Sequence, residues 1–293
     1  MRANANGIEI EYDTFGNPSD EPIVLVMGLG SQMILWHEDF CERLAARGHW
    51  VIRFDNRDIG LSTKFDDAGI PNPLELLMKM QQGERLDVPY TLDDMADDTV
   101  GLMDALGLER AHVCGASMGG MIAQTVAIRH PARVKSLTSI MSSTGSPNLP
   151  GPKLEVMSVL ITPIPPDREG YVDRMVNIFR AIAGDGFPFD EKLIRDRAER
   201  SYDRCPTPGG QPRQLAAVLA HGDRTERLRQ LRLPALVIHG DNDPLVQVEC
   251  GRATAEAIPG AELLIVPGLG HNLAPGLWPL AIDAISQHVQ RAA

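Results

Sequence analysis

The sequence has few cysteines, and they are not arranged as a covalent scaffold requires. Among its 293 residues, cysteine occurs only at positions 41, 114, 205 and 250. These positions are far apart, no two form a CxxC pair, and four cysteines are too few to staple a chain of this length. We therefore expect reduced, mostly buried thiols and not a disulfide framework.

A surplus of positive charge is also missing. Lysine and arginine number 28 against 39 aspartates and glutamates, which gives a formal net charge of −11. Binding to a phosphate backbone gains free energy when a basic surface releases counterions, so we expect no nucleic-acid partner. The aspartates at 93, 94, 97 and 98 follow Thr91, whose spacing to Asp94 predicts a capped helix start. We interpret them as helix-start residues and expect no metal site.

Long hydrophobic runs are absent from the sequence as well. No run approaches the roughly 18 apolar residues of a membrane-spanning helix, and the opening MRANANGIEIEYDTFG lacks a basic segment followed by an apolar one. We expect a soluble, cytoplasmic protein without a membrane partner.

Short apolar runs alternate with helix-period segments along most of the chain. Residues 8–15 alternate in polarity as a half-exposed strand does, and residues 23–27 are continuously apolar, as expected of a strand covered on both faces. Similar apolar runs recur at 50–54, 111–114, 137–141, 236–238 and 263–266. This order predicts an α/β fold with a mainly parallel central sheet and helices on both faces.

The alternation stops between residues 145 and 233, which hold 10 of the 22 prolines. We interpret this stretch as a mostly helical cap inserted into one core, formed by residues 1–144 and 234–293. Within the cap, arginines at 195, 197, 200 and 204 stand among acidic residues. That pattern predicts an exposed helix face with i,i+3 and i,i+4 ion pairs and disfavours an anion site.

The strongest motif for chemistry is Gly115-Ala116-Ser117-Met118-Gly119-Gly120, directly after an apolar run and before a helical one. A nucleophile at a tight strand-to-helix turn has a strained backbone, so its neighbours two residues away must be very small. Gly115 and Gly119 meet that requirement. The motif predicts Ser117 as a nucleophile, and the alternative is a plain glycine-rich turn.

A serine nucleophile needs a histidine base and a carboxylate to orient it. His271 lies in a glycine-rich loop after the last apolar run, at the end of the sheet where catalytic loops occur. Asp241 and Asp243 both follow the run 236–238. His239 lies inside that strand and is interpreted as a core residue. The chain order of serine, aspartate and histidine is the order expected of a serine hydrolase on such a sheet.

Gly28-Leu29-Gly30 leaves another central strand and completes the predicted site. We predict the backbone N–H groups of Leu29 and Met118 as the oxyanion hole. A GxGxxG dinucleotide motif is not formed, because Met33 stands where the third glycine belongs. We therefore expect no nucleotide cofactor.

Together these motifs resemble the α/β-hydrolase superfamily. Residues 55–62, Asp-Asn-Arg-Asp-Ile-Gly-Leu-Ser, are similar to the branch that contains aclacinomycin methylesterase, with Arg57-Asp58 where the commoner pattern has Arg-Gly. The resemblance implies Asp243 as the acid and a structural role for residues 55–62 beneath the serine. The sequence departs from many relatives at Met27, where they carry a histidine that supports the glycine loop.

The resemblance implies a serine carboxylesterase with no metal or organic cofactor. Apolar residues of the cap, among them Met157 and Leu160, predict that its substrates are small to medium hydrophobic esters. Lactone hydrolysis, carbon–carbon bond hydrolysis and perhydrolysis use the same three residues and stay open, as does a ligand receptor built on a hydrolase fold. For the substrate pocket we predict four residues, which are Gly28, Trp36, Met157 and Leu160. The sequence indicates no oligomeric state.

Overall fold

A computed structural model describes residues 1–160, 164–205 and 209–292 of the chain. Its eight strands form one sheet in the spatial order β1-β2-β4-β3-β5-β6-β7-β8. The strands are β1 (Arg2–Ala5), β2 (Ile8–Phe15), β3 (Glu21–Val26), β4 (His49–Phe54), β5 (Ala111–Ala116), β6 (Val134–Ile140), β7 (Ala235–Gly240) and β8 (Glu262–Val266). From β3 onward every neighbouring pair is parallel, whereas β1 and β2 pair antiparallel at one edge. The mainly parallel sheet predicted from the sequence is confirmed.

The helices cover both faces of this sheet. They are α1 (Glu38–Ala45), α2 (Pro73–Gln81), α3 (Leu92–Ala105), α4 (Met118–Arg129), α5 (Leu154–Leu160), α6 (Arg168–Ile182), α7 (Glu191–Arg204), α8 (Gly210–His221), α9 (Thr225–Leu228), α10 (Val248–Ala257) and α11 (Trp278–Ala292). Helices α3 and α4 pack on one face, and α1 and α11 pack on the other. None of the helices in the described ranges is both long and apolar enough to cross a bilayer.

Local sequence accounts for where several helices begin. Thr91 caps α3 through the predicted capping box, in which its side chain accepts from the Asp94 N–H and the Asp94 carboxylate accepts from the Thr91 N–H. Helix α4 begins directly after Ser117, so the strand β5 delivers this residue to the carboxyl end of the sheet.

Helices α5 to α9 lie in the chain between β6 and β7, the interval that the sequence assigns to a cap. The exact division into a core of residues 1–144 and 234–293 and a cap of residues 145–233 stays a prediction. Two buried aspartates bind this interval to the core. Asp55 accepts a hydrogen bond from Arg204 at 2.6 Å, and Asp58 accepts two from Arg213 at 2.7 and 2.8 Å.

Candidate active site

Ser117 occupies a strained turn between β5 and α4. Its backbone has φ of 57° and ψ of −123°, a region that residues with a side chain rarely adopt. The turn is so tight that a Cβ added at Gly115 would lie 2.0 Å from the Gly119 carbonyl oxygen. A Cβ added at Gly119 would lie 2.1 Å from the Val26 carbonyl oxygen. Glycine at both positions is therefore a steric requirement for exposing the Ser117 hydroxyl at the end of the sheet.

The structure brings Ser117 together with His271 and Asp243. His271 Nε2 lies 2.9 Å from Ser117 Oγ, and His271 Nδ1 lies 2.7 Å from Asp243 Oδ2. The other carboxylate oxygen of Asp243 accepts from the N–H groups of Leu245 and Val246, both at 2.9 Å. These two backbone donors hold the carboxylate in place, so that its free oxygen can orient the imidazole ring.

Asp241 and His239, the other two candidates near this loop, have different surroundings. Asp241 accepts a hydrogen bond from the Gly268 N–H at 2.6 Å and so ties two loops together. His239 is fully buried and lies 2.7 Å from the Val246 carbonyl oxygen and 3.6 Å from Asp243 Oδ2. Burial lowers the pKa of His239, which favours a neutral ring that donates to the carbonyl. His239 packs beside the acid, and His271 alone of these two histidines reaches Ser117.

The glycine loop, residues 28–30, lies directly against the serine. A Cβ added at Gly28 would lie 3.1 Å from the Ser117 Cβ. Gln214 of α8 is fully buried and spans the loop and the core, since its Oε1 accepts from Gly30 N–H at 2.8 Å and its Nε2 donates to the Arg57 carbonyl at 3.0 Å. The predicted oxyanion donor Leu29 therefore sits in a loop held from both sides.

Asn56 supports the same loop from the core. Its side chain donates to the Met27 carbonyl oxygen at 2.8 Å. The other predicted oxyanion donor, Met118, is the first residue of α4, and the N–H of that position has no partner within its own helix. The two predicted donors thus belong to segments that both contact Ser117.

Part of the chain between β6 and β7 packs backbone to backbone on the loop that carries His271. The Ile182 carbonyl accepts from the His271 N–H at 2.7 Å, and the Gly268 carbonyl accepts from the Gly186 N–H at 2.9 Å. A Cβ added at Gly184 would lie 2.0 Å from the Gly268 oxygen. The position of the histidine loop therefore depends on the connection between α6 and α7. This contact was not predicted, because a Gly-x-Gly pair in a long insertion has no local signature of its partner.

The predicted substrate residues do not all reach the site. Gly28 contacts Ser117, and Met157 is half-buried on α5. The prediction that Trp36 lines the substrate pocket is wrong, because its side chain has no exposed surface and packs on Phe40 with ring centroids 5.4 Å apart. A side chain without exposed surface contacts no ligand, so Trp36 belongs to the core. The side chain of Leu160 lies outside the described residues.

The arginines of α7 also depart from the predicted exposed face. Arg195 is exposed and pairs with Glu191 and Asp173, as predicted. Arg204 instead points inward and binds Asp55, and Arg197 is only 6% exposed. The spacing of the arginines along α7 did not distinguish these environments, because tertiary packing decides which side of the helix faces inward.

Comparison with known proteins agrees with this architecture. A family model described as alpha/beta hydrolase fold matches residues 21–274. The chain is similar to the rhodomycin D methylesterases of Streptomyces sp. (strain C5) and Streptomyces peucetius, each 29% identical over 94% of this chain and 93% of the relative. Among solved structures it resembles a meta-cleavage product hydrolase from Pseudomonas fluorescens IP01, with a TM-score of 0.75, 21% identity and coverage of 100% of this chain and 98% of the other. At that identity the structural likeness shows the fold alone.

Proposed function

This chain belongs to the α/β-hydrolase family, and from that premise we propose that it is a serine carboxylesterase acting on small to medium hydrophobic esters. The observation that carries the proposal is the continuous hydrogen-bonded chain from Ser117 Oγ through His271 to Asp243, with separations of 2.9 and 2.7 Å. Such a chain activates a serine hydroxyl at neutral pH. The two methylesterase relatives favour an ester as the bond that is cleaved.

In the proposed reaction, Ser117 Oγ attacks the ester carbonyl while His271 Nε2 accepts the hydroxyl proton. Asp243 stabilises the imidazolium ion that forms. The negative charge on the carbonyl oxygen is held by the N–H groups of Leu29 and Met118. His271 then donates its proton to the leaving alcohol. In the second half of the reaction, water attacks the acyl-enzyme while His271 accepts a proton from it, and His271 returns that proton to Ser117 Oγ as the carboxylic acid leaves. The reaction uses no metal or organic cofactor.

The proposal is tested with a chain-length series of 4-nitrophenyl esters. We expect kcat/KM to rise modestly from acetyl to butanoyl or hexanoyl, since each buried methylene contributes at most about 0.8 kcal/mol, and then to fall. Ser117→Ala should lose roughly four to six orders of magnitude in kcat, and adding His271→Ala should cost little more because the residues act as one unit. Ser19→Ala, at an exposed turn, is the matched control. Unchanged turnover in Ser117→Ala contradicts the mechanism.

Trapping the acyl-enzyme separates this function from the alternatives. A fluorophosphonate should label Ser117 once per chain, as detected by peptide mass. Parallel assays on a lactone, a vinylogous 1,5-diketone and a peracid precursor then compare the bond types. Preference for one of those substrates over every ester contradicts the esterase assignment, while labelling without turnover of any substrate indicates a receptor.

A further inference from the structure

Arg197 is a buried cation that lacks a hydrogen-bonding partner. Its Nε and Nη2 atoms are buried and donate to no partner among the residues that the structure describes. The guanidinium carbon lies 5.9 Å from the centroid of the Trp278 ring. Buried charges in proteins are normally paired, because removing an ion from water costs several kcal/mol. Burial lowers the pKa of Arg197 to about 10, so the group is still a cation at neutral pH.

The two carboxylates whose charges act on Arg197 have other partners: Asp190 caps α7 by accepting from the Leu193 N–H at 3.0 Å, and Glu38 binds other arginines. Glu38, whose charge acts on Arg197, accepts hydrogen bonds from Arg53 at 2.9 Å and from Arg200 at 2.8 and 3.2 Å. The other arginines of α7 also have their own acids: Arg195 pairs with Glu191 and Asp173, and Arg204 pairs with Asp55. Arg197 therefore differs from the other arginines of α7, because its charge is unused by any ion pair among the described residues.

This unused charge borders a cavity of about 40 Å³. One water molecule needs about 10–15 Å³ of such space, so the cavity has room for a group with two oxygens. Its polar lining residues include Ser31, Tyr171 and Ser201, its apolar ones include Met175 and Phe179, and no described lining residue is acidic. Donors beside an apolar wall match a carboxylate on a hydrocarbon chain better than a hydrated phosphate.

The cavity also reaches the predicted oxyanion loop. Gly30 lines it, and the same loop places Gly28 against Ser117. We infer that Arg197 binds a second, free carboxylate of the substrate, so that the preferred substrates are half-esters of dicarboxylic acids. The inference rests on the proposed esterase function and names its substrate class. A guanidinium–carboxylate contact at the part of Arg197 that lines the cavity would pair this charge and hold the distant end of the substrate.

The kinetic test compares esters that differ only in the second carboxylate. Monomethyl esters of the C4 to C8 linear diacids are each paired with the methyl ester of the monoacid of equal length, and methanol release is measured. We expect kcat/KM to favour the best half-ester by about tenfold to 100-fold, the range of a charge-assisted contact. Arg197→Met should remove that preference by lowering kcat/KM for the half-ester far more than for the neutral ester, and Arg197→Lys should keep part of it.

Arg195→Met is the matched control, since Arg195 lies on the same helix but is exposed and paired at the surface. It should behave as the unmodified protein. Thermal unfolding of each variant verifies that it is folded before kinetics are compared. Equal kcat/KM for every ester pair in the unmodified protein, or a preference that survives in Arg197→Met, overturns the inference.

A binding measurement separates failure of this inference from failure of the esterase proposal. Calorimetric titration of Ser117→Ala with monomethyl adipate, with methyl hexanoate and with acetate needs no turnover. Binding of the half-ester that is lost in Ser117→Ala/Arg197→Met supports the carboxylate site even if no ester is hydrolysed. Hydrolysis of methyl hexanoate with no carboxylate binding refutes the site alone. Binding of acetate without preference for the half-ester refutes the substrate assignment, because the site then takes a free anion.

Discussion

Replacing Asp58 by glycine sets two opposing effects against each other at one buried position. Asp58 has φ of 74°, in the left-handed region that favours glycine. Its carboxylate is fully buried and accepts from Arg213 Nε at 2.7 Å and Nη2 at 2.8 Å, from the Tyr90 hydroxyl at 2.7 Å and from the Phe65 N–H at 2.8 Å. Glycine relieves the backbone strain but removes the carboxylate, so that all four donors lose their acceptor.

The magnitudes decide the sign of the change. Glycine adopts the same left-handed conformation without the steric cost of a Cβ, which gains about 1–2 kcal/mol. Leaving Arg213, which is 1% exposed, without its buried partner costs about 3–5 kcal/mol. Asp66 stays 2.9 Å from Arg213, but its carboxylate is 73% exposed, so its compensation is at most about 1 kcal/mol. These ranges together span about 0–4 kcal/mol, and we expect Asp58→Gly to lower the free energy of unfolding by their middle value, about 2 kcal/mol.

Urea unfolding followed by tryptophan fluorescence measures this change. Arg213→Met combined with Asp58→Gly should be more stable than Asp58→Gly alone, because no uncompensated charge stays buried. Esterase activity should fall in Asp58→Gly as well, since Arg213 anchors the helix that carries Gln214. If Asp58→Gly is as stable as the unmodified protein, the buried pair contributes no more than the strain costs, and the reasoning is wrong.

Three further outcomes follow from the geometry. Asp243→Asn should reduce kcat about 10⁴-fold by disturbing the histidine tautomer, whereas Asp241→Asn should cost less than tenfold; the reverse order in ester assays would exchange their roles. Gln214→Leu should lower kcat about tenfold to 100-fold with little change in KM, because the Gly30 N–H loses its buried acceptor; an unchanged kcat contradicts this. Burial lowers the pKa of His112 to about 4 from 6.5, so the unfolded chain binds this proton first and stability falls as pH drops from 6.5 to 4. Urea unfolding at pH 6.5 and at pH 4 measures this loss of stability. The loss should be smaller in His112→Asn than in the unmodified protein, by up to about 3 kcal/mol, and equal losses in the two proteins would refute the prediction.

The sequence by itself determined the sheet and the positions of the three residues that meet at its edge, because their signals are local. Continuous apolar runs marked the parallel strands, and glycines two residues either side of Ser117 are required by the turn itself. Asp243 and His271 follow the strands β7 and β8, and parallel strands deliver their carboxyl-end loops to one edge. Local pattern and parallel topology together were enough to predict that these three side chains would meet.

Only the tertiary structure decided which side chains support the site and which stay unpaired. Gln214 reaches Gly30 across 184 residues of chain and Arg213 reaches Asp58 across 155, and no spacing rule links positions so far apart. Arg195 and Arg197 look alike in the sequence, yet one is paired at the surface and the other is buried beside a cavity. The physical reason is that burial and pairing depend on which elements pack against a helix, and the helix's own residues do not encode its neighbours.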